Sequence, residues 1–221
     1  MNVRRRAISL AATGTALGAS LLAYPFLPRR VATHFRWDGR PDRHTGRGVA
    51  TLRTPALMAG IAILNQRLGA WPGGSDREDT ESGVQALGEA IDVAELGLLL
   101  NHVALLANGL SLPMDMQRVP RAICGVLLIA LGNVLPKLPR NPIVGIRTPW
   151  TLAHPAVWER THRLAGYLCV LAGLATLAAV PARGRVATRV PVLASLASAS
   201  IAAAYSWVVY RQRSRPVGLQ K

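Results

Sequence analysis

The stretch AISLAATGTALGASLLAYPFL, residues 7–27, passes 21 positions without a charged side chain. A helix crossing the hydrocarbon core of a bilayer needs about 20 mostly apolar residues, so this run is long enough to span one. Arg4, Arg5 and Arg6 stand before it. Arginines ahead of an apolar stretch also outline a secretory signal, with a faint twin-arginine cast. The length of the run and the lack of a clear small-x-small cleavage site favour a retained first helix. Further apolar runs cover residues 93–112, 119–135, 164–180 and 190–210. A weaker one covers 49–64, where Thr54-Pro55 reads as an opening turn with proline in the first helical turn. The expected fold is an all-α integral membrane protein of about six transmembrane helices with two ordered interfacial loops.

Composition agrees. Half of the 221 residues are hydrophobic, mean hydropathy is +0.25, and charged residues make up 17%. Soluble domains carry about 25% charge. The net charge of +15 raises the question of nucleic acid, but the arginines lie between and beside the apolar runs and not along one helix face. That placement suits anionic headgroups, and no direct nucleic-acid partner is expected. Cys124 and Cys169 sit inside apolar runs and read as small packing residues. Basic residues divide almost evenly between the two sides, so the positive-inside rule is nearly silent. Arg4–Arg6 favour a cytoplasmic N-terminus in the cell membrane.

Small residues recur at helical spacing in the first span, Gly14 and Gly18, and in the last, Ala194, Ser198 and Ala202. Such faces let helices approach closely in lipid, here as packing within the bundle. The chain divides into residues 1–66, with the first two spans and a loop rich in His, Gly, Pro and Asp; 67–90, a flexible acidic linker with Gly73-Gly74, Asp76, Glu78, Asp79 and Glu81; and 91–221, a four-span region. Two long loops follow a Leu-Pro-basic step, Leu27-Pro28-Arg29 and Leu135-Pro136-Lys137, and two more spans follow each. If this parallel holds, two three-helix halves face opposite ways and the two loops lie on opposite membrane faces.

The densest stretch is GNVLPKLPRNPIVGIRTPWTLAHPAVWERTHRLAG, residues 132–166. Asn133 lies near a helix end, Pro136 and Pro139 stop that helix, and Asn141-Pro142 with Gly145 make turns. Thr148-Pro149 is a helix start, with threonine as N-cap and proline at the first position. His154-Pro155 ends the short helix and starts another, on which Trp158 and His162 share a face and Glu159 pairs with Arg163 at i,i+4. Trp150 and Trp158 suit headgroup level. The whole reads as a turn-and-helix element covering the mouth of the bundle.

This stretch closely resembles the signature of the SdpI family of bacterial membrane proteins, through Asn133, Pro136, Lys137, Asn141, Gly145, Arg147, Thr148, Pro149, Trp150, Thr151, Trp158, Thr161, His162, Arg163 and Gly166. The first loop, with Leu27-Pro28, His34-Phe35 and Gly39-Arg40-Pro41-Asp42, is similar to a small uncharacterised domain that often opens such proteins. The resemblance implies a multi-pass protein that protects against a membrane-active peptide toxin. It further implies a role in signalling, by holding a transcriptional repressor at the membrane. Both are implied partners, beside the lipid bilayer itself.

Each marked group carries a plainer reading beside the functional one. Arg147 suits a lipid phosphate or a peptide carboxylate, and equally suits orphan carbonyls at a helix end. His162 reads as a packed, hydrogen-bonded histidine ahead of a ligand. His34, Asp38 and Asp42 have the chemistry of metal ligands, but with Gly39 and Pro41 between them an Asx-type turn fits better, and no metal is assigned. Inside the third span Glu95, Asn101 and His102 are polar, and Glu95 and His102, seven apart, share a face. Ionisable groups within a membrane are functional candidates, though acids near a helix start also answer the dipole. No zinc-protease, nucleophile-elbow or P-loop motif occurs, and Glu159 with His162 is a lone fragment of a di-iron pattern. Neither catalysis nor a cofactor is expected. The alternative to an immunity protein is a small-molecule, ion or lipid transporter built from the two halves.

Overall fold

Long apolar runs without charge form helices in lipid because every backbone polar group must be satisfied within its own segment. The computed structural model describes residues 3–36, 38–69 and 77–213. Its helices are α1 (Val3–Ala23), α2 (Arg47–Gly69), α3 (Arg77–Gly109), α4 (Val119–Val134), the short α5 (Pro149–Ala153), α6 (Pro155–Ala178) and α7 (Arg185–Arg213). Six of them contain segments long and apolar enough to cross a membrane: Ala7–Phe26, Arg47–Arg67, Gly88–Gly109, Val119–Lys137, Pro155–Ala178 and Arg185–Arg213. The burial pattern is that of a lipid-embedded chain. Leu22 is 77% exposed and Leu171 60%, whereas Glu95 and His102 are each 1% exposed. In water that arrangement would be reversed.

The helices sort into two groups. In the first, α1, α2 and α3 pack on one another; in the second, α6 packs on α4 and α7. Among the described residues, α3 against α4 is the one helix-to-helix seam between the groups. Each group has its own buried apolar cluster, with Leu27, Val31, Leu105 and Leu106 in the first and Leu135, Leu138, Ala165 and Ala202 in the second. In both, the first helix closes with a 3-10 turn before an insert, Tyr24–Phe26 after α1 and Leu135–Lys137 after α4. Leu27 and Leu135, from the two Leu-Pro steps, are buried in their respective clusters. The signature insert stands at the ends of α6 and α7 away from the Leu27 end of the bundle. Because α1 runs toward the first insert and α4 runs the other way, the inserts lie at opposite ends of the bundle.

Several details depart from the expectations. The first insert is a β-hairpin, β1 (Arg30–Phe35) with β2 (Pro41–Gly46), antiparallel and irregular around Ala32–His34–Phe35. Alternation over RVATHF is too short to stand out beside the apolar runs, and pairing is supplied by the turn through Gly39 at φ +79°. Proline 55 does not open α2 but lies inside it, since the helix starts at Arg47. A proline removes the N–H that would bond the carbonyl four residues back, that of Thr51. Ser20 Oγ of α1 supplies the missing donor at 2.7 Å. α3 begins at Arg77, so the acidic stretch 67–90 is helical at both its ends, and residues 70–76, with Gly73, Gly74 and Asp76, lie outside the described residues. Ala, Gln, Glu and Leu in that stretch are strong helix formers, which lets the helix extend beyond its apolar part.

The small-residue faces also divide. Ser198 and Ala202 are buried, and Ser198 Oγ donates to Leu168 O of α6 at 3.2 Å. Gly14 and Gly18 meet nothing: a Cβ at either would find open space. Close backbone approach occurs instead between α4 and α6, where Gly132 faces Gly166 and Gly125 faces Gly173. A Cβ on Gly132 would come within 2.7 Å of Gly166 O, and one on Gly173 within 2.6 Å of Gly125 O. Glycine is what lets two helices touch at this distance.

Candidate functional site

The signature loop is built around Trp158 and His162, stacked on the first two turns of α6 with ring centroids 3.9 Å apart. Both are buried. Trp158 is therefore an internal residue and not the headgroup anchor expected of it. Its indole N–H donates to Leu138 O at 2.9 Å, which pins the chain just past α4. His162 Nε2 accepts from the Ile146 N–H at 3.0 Å. The proton must then sit on Nδ1, which donates to Trp158 O at 2.9 Å. Both ring nitrogens of His162 are thus engaged within the element. Gly145, at φ +119°, lies against this ring, and a Cβ there would collide with it.

The rest of the loop is tied by its own side chains. Buried Asn141 accepts from the Ile143 and Val144 N–H groups at 2.9 and 2.8 Å and donates to Pro139 O at 2.9 Å. Thr148 caps α5 in a reciprocal box with Thr151, with Pro149 at the first position, and Thr151 Oγ1 donates on to Ile146 O at 2.8 Å. Trp150 bonds Ser206 Oγ at 2.6 Å and stacks on Tyr210, fastening α5 to α7. Thr161 is fully buried.

A different set faces outward. Asn133, Pro136 and Lys137 line a groove of about 540 Å³ beside the α4–α6 contact, together with Tyr167 and Leu171. Tyr167 also lines a neighbouring hollow of about 360 Å³ with Arg160, Arg163 and Tyr205. Arg147 is exposed, and its guanidinium donates to Ile143 O of its own loop at 3.3 Å. Glu159 and Arg163 are both exposed, and their expected i,i+4 pair is not among the ion pairs of the described residues. The signature thus mixes residues that hold the loop with residues that present cations and an amide at a groove. Sequence alone does not separate the two sets.

Residues 137–210 match the SdpI/YfhL protein family. Residues 11–59, covering most of α1, the hairpin and the start of α2, match a domain of unknown function, DUF1648. Over 172 residues the chain is 22% identical to immunity protein SdpI of Bacillus subtilis (strain 168), a span of 77% of this chain and 79% of that protein. No solved structure matches the chain. The chain is a multi-pass membrane protein similar to the SdpI/YfhL family over its second half, and its signature loop lies within the matched region but for its first residues.

The hairpin outside that region is held more lightly. His34 Nδ1 and Asp42 Oδ1 are 2.6 Å apart across the strands, and both side chains are well exposed. That hydrogen bond holds the Asp42 carboxyl below the usual carboxylate range. Asp38 Oδ1 accepts from the Arg40 N–H at 3.2 Å, the geometry of an Asx turn, with Gly39 completing the bend ahead of Pro41.

Within the membrane, Glu95 and His102 share the face of α3 that meets α1. Ser9 Oγ donates to Glu95 Oε1 at 2.8 Å, and Ser20 Oγ lies 2.7 Å from His102 Nε2. A serine hydroxyl carries one proton; with that proton on Thr51 O, the His102 contact is an Nε2–H donation to Ser20. Asn101 points elsewhere, into a cavity between the two helix groups. That cavity also holds Arg121, a buried cation passed over in the sequence. Its signal was available: an arginine in the fourth apolar run with no acid within helical reach.

Proposed function

We propose that this chain is an immunity protein of the SdpI type, protecting the cell membrane that carries it against a membrane-active peptide toxin. The observation that carries the reading is the signature element: a side-chain-bonded scaffold with Lys137 lining the Asn133–Tyr167 groove, Arg163 lining the neighbouring hollow and Arg147 exposed on the loop. Fixed cations beside an apolar groove are suited to a peptide's carboxylates and apolar side chains. With a cytoplasmic N-terminus, the signature loop faces the cytoplasm, where the same surface would hold a transcriptional repressor at the membrane. No step of this role requires catalysis. Expression in a toxin-sensitive strain lacking its own immunity protein should restore growth in the presence of the peptide. No protection at normal membrane abundance would sink the proposal. Orientation is read separately, by labelling Arg40→Cys and Lys137→Cys variants with an impermeant thiol reagent after replacing Cys124 and Cys169 by Ala. The two sites should be accessible from opposite sides.

A second reading, a transporter made of two oppositely running halves, is favoured by the buried Glu95–Ser9 and His102–Ser20 pairs on the α1–α3 seam. A Glu95→Gln, His102→Ala double variant that still protects cells as the wild type does would count against proton-coupled transport as the mechanism of protection.

A further inference from the structure

At the hairpin end of the molecule, the seam between the two helix groups opens into a cavity of about 520 Å³. Small-molecule sites run from about 300 to 1,000 Å³. Its walls come from both groups: His34 of β1 and Arg36 just after it, Asn101 and Leu105 from α3, Arg121 from α4 and Val192 from α7. Arg121 is the unusual member, at 4% exposed. Its Nε donates to Gln117 O at 2.9 Å, and its Nη1 donates to Ala179 O and Ala182 O, each at 3.0 Å, past the end of α6. The buried Nη2 has no partner among the described residues.

A buried guanidinium bonded only to carbonyl oxygens among the described residues is costly, because its charge has no counter-ion. Of the acids in this region, Asp115 pairs with Arg118 at 3.2 Å and Asp42 with His34 at 2.6 Å. An anion seated in the cavity against Arg121 would answer this charge, and planar guanidinium donors suit phosphate oxygens. The depth is also right. α4 and α7 start here while α3 and α6 end, which is the level at which phospholipid phosphates lie. Leu105 and Val192 give the remaining wall an apolar character suited to the first carbons of an acyl chain.

We propose that this cavity binds the phosphate of an anionic phospholipid, with Arg121 as its principal donor, Arg36 as a second cation and Asn101 as a polar neighbour. The ligand would then staple the two helix groups across the α3–α4 seam.

The test uses the full chain in detergent micelles, with thermal unfolding followed while short-chain phosphatidylglycerol, phosphatidylcholine, neutral diacylglycerol or inorganic phosphate is added. Phosphatidylglycerol should raise the midpoint in a saturable way, with diacylglycerol giving no shift and phosphatidylcholine a smaller one. Arg121→Gln should weaken phosphatidylglycerol binding tenfold or more. Because that change also removes bonds to the end of α6, a second variant, Asn101→Phe, fills the cavity from α3 and leaves the Arg121 carbonyl bonds in place; it too should weaken binding tenfold or more. Equal binding by wild type and Asn101→Phe overturns the proposal, as does the absence of any saturable shift. A shift with inorganic phosphate as large as that with phosphatidylglycerol assigns the site to free phosphate and overturns the lipid reading.

Discussion

The hairpin and the signature loop occupy matching places, each between the first and second spans of a three-helix group, yet they are held by different physics. The signature loop is fastened from inside. Asn141, Thr151, Trp158 and His162 are buried, and each bonds backbone of the loop or of the helix it covers. The hairpin is fastened by its ladder and, across its outer surface, by the exposed His34–Asp42 pair. Internal side-chain bonds define one conformation, because a broken one leaves a buried polar group unsatisfied. An exposed pair adds little, because water replaces it. The signature loop can therefore act as a fixed platform, while the hairpin is a lighter cover over the seam between the groups.

The sharpest way to break this contrast is to empty the platform. Trp158→Ala removes a buried indole together with its bond to Leu138 O, and truncations of this kind cost about 3–5 kcal/mol. Thermal unfolding in micelles should show a clear fall in the midpoint, together with loss of protection. A midpoint within a degree or two of wild type would mean that the loop is not held from inside. Gly145→Ala should come next. It forces a side chain into a left-handed backbone position and against His162, for a cost of about 1–3 kcal/mol. The Ile146–His162 bond is the contact it should disrupt, visible as faster exchange of the Ile146 amide.

Arg147→Ala separates holding from presenting. The side chain is exposed, so stability should stay within about 0.5 kcal/mol of wild type. Protection against the toxin should nevertheless fall while membrane abundance stays normal. Full protection by this variant would return Arg147 to its plainer role as a donor to its own loop's carbonyl.

Much of this was legible in the residues, for reasons that differ by region. The spans could be read because lipid demands long uninterrupted apolar runs, and the α5 cap because Thr148-Pro149 encodes it locally. The hairpin was not legible as strands, since RVATHF carries only a short alternation, with Val31 alone fully buried, and PDRHTG carries none. The interior position of Pro55 depended on Ser20, 35 residues earlier in the chain, whose hydroxyl serves the freed Thr51 carbonyl. In the site, the motif could name the residues but not sort them. Trp158 and Lys137 belong to the same string, and only packing shows that one is internal and the other lines a groove. Arg121 was visible as a charge in an apolar run, but the cavity it lines is assembled from four separate segments of the chain.

The smallest effect lies in the hairpin, where the contrast is finest. The Asp42 carboxyl is held below the usual carboxylate range chiefly by its hydrogen bond with His34, which outweighs the opposing effect of its limited burial. A carboxyl lowered in the folded state adds stability above its unfolded value, and that contribution disappears as pH falls through the folded value. The cross-strand pair should therefore persist at neutral pH and be lost in acid, below the ordinary carboxylate range. Because both groups face water, the unfolding midpoint of the whole protein should hardly register it. Carbon NMR of the labelled Asp42 carboxyl would see it directly. In His34→Ala the titration of that carboxyl should move back up toward the ordinary range, with the spans and the signature loop unchanged. A titration of the Asp42 carboxyl that stays put in the variant would show that the strands, and not the pair, set the environment of Asp42, and the hairpin would then be as firmly held from within as the loop at the other end of the bundle.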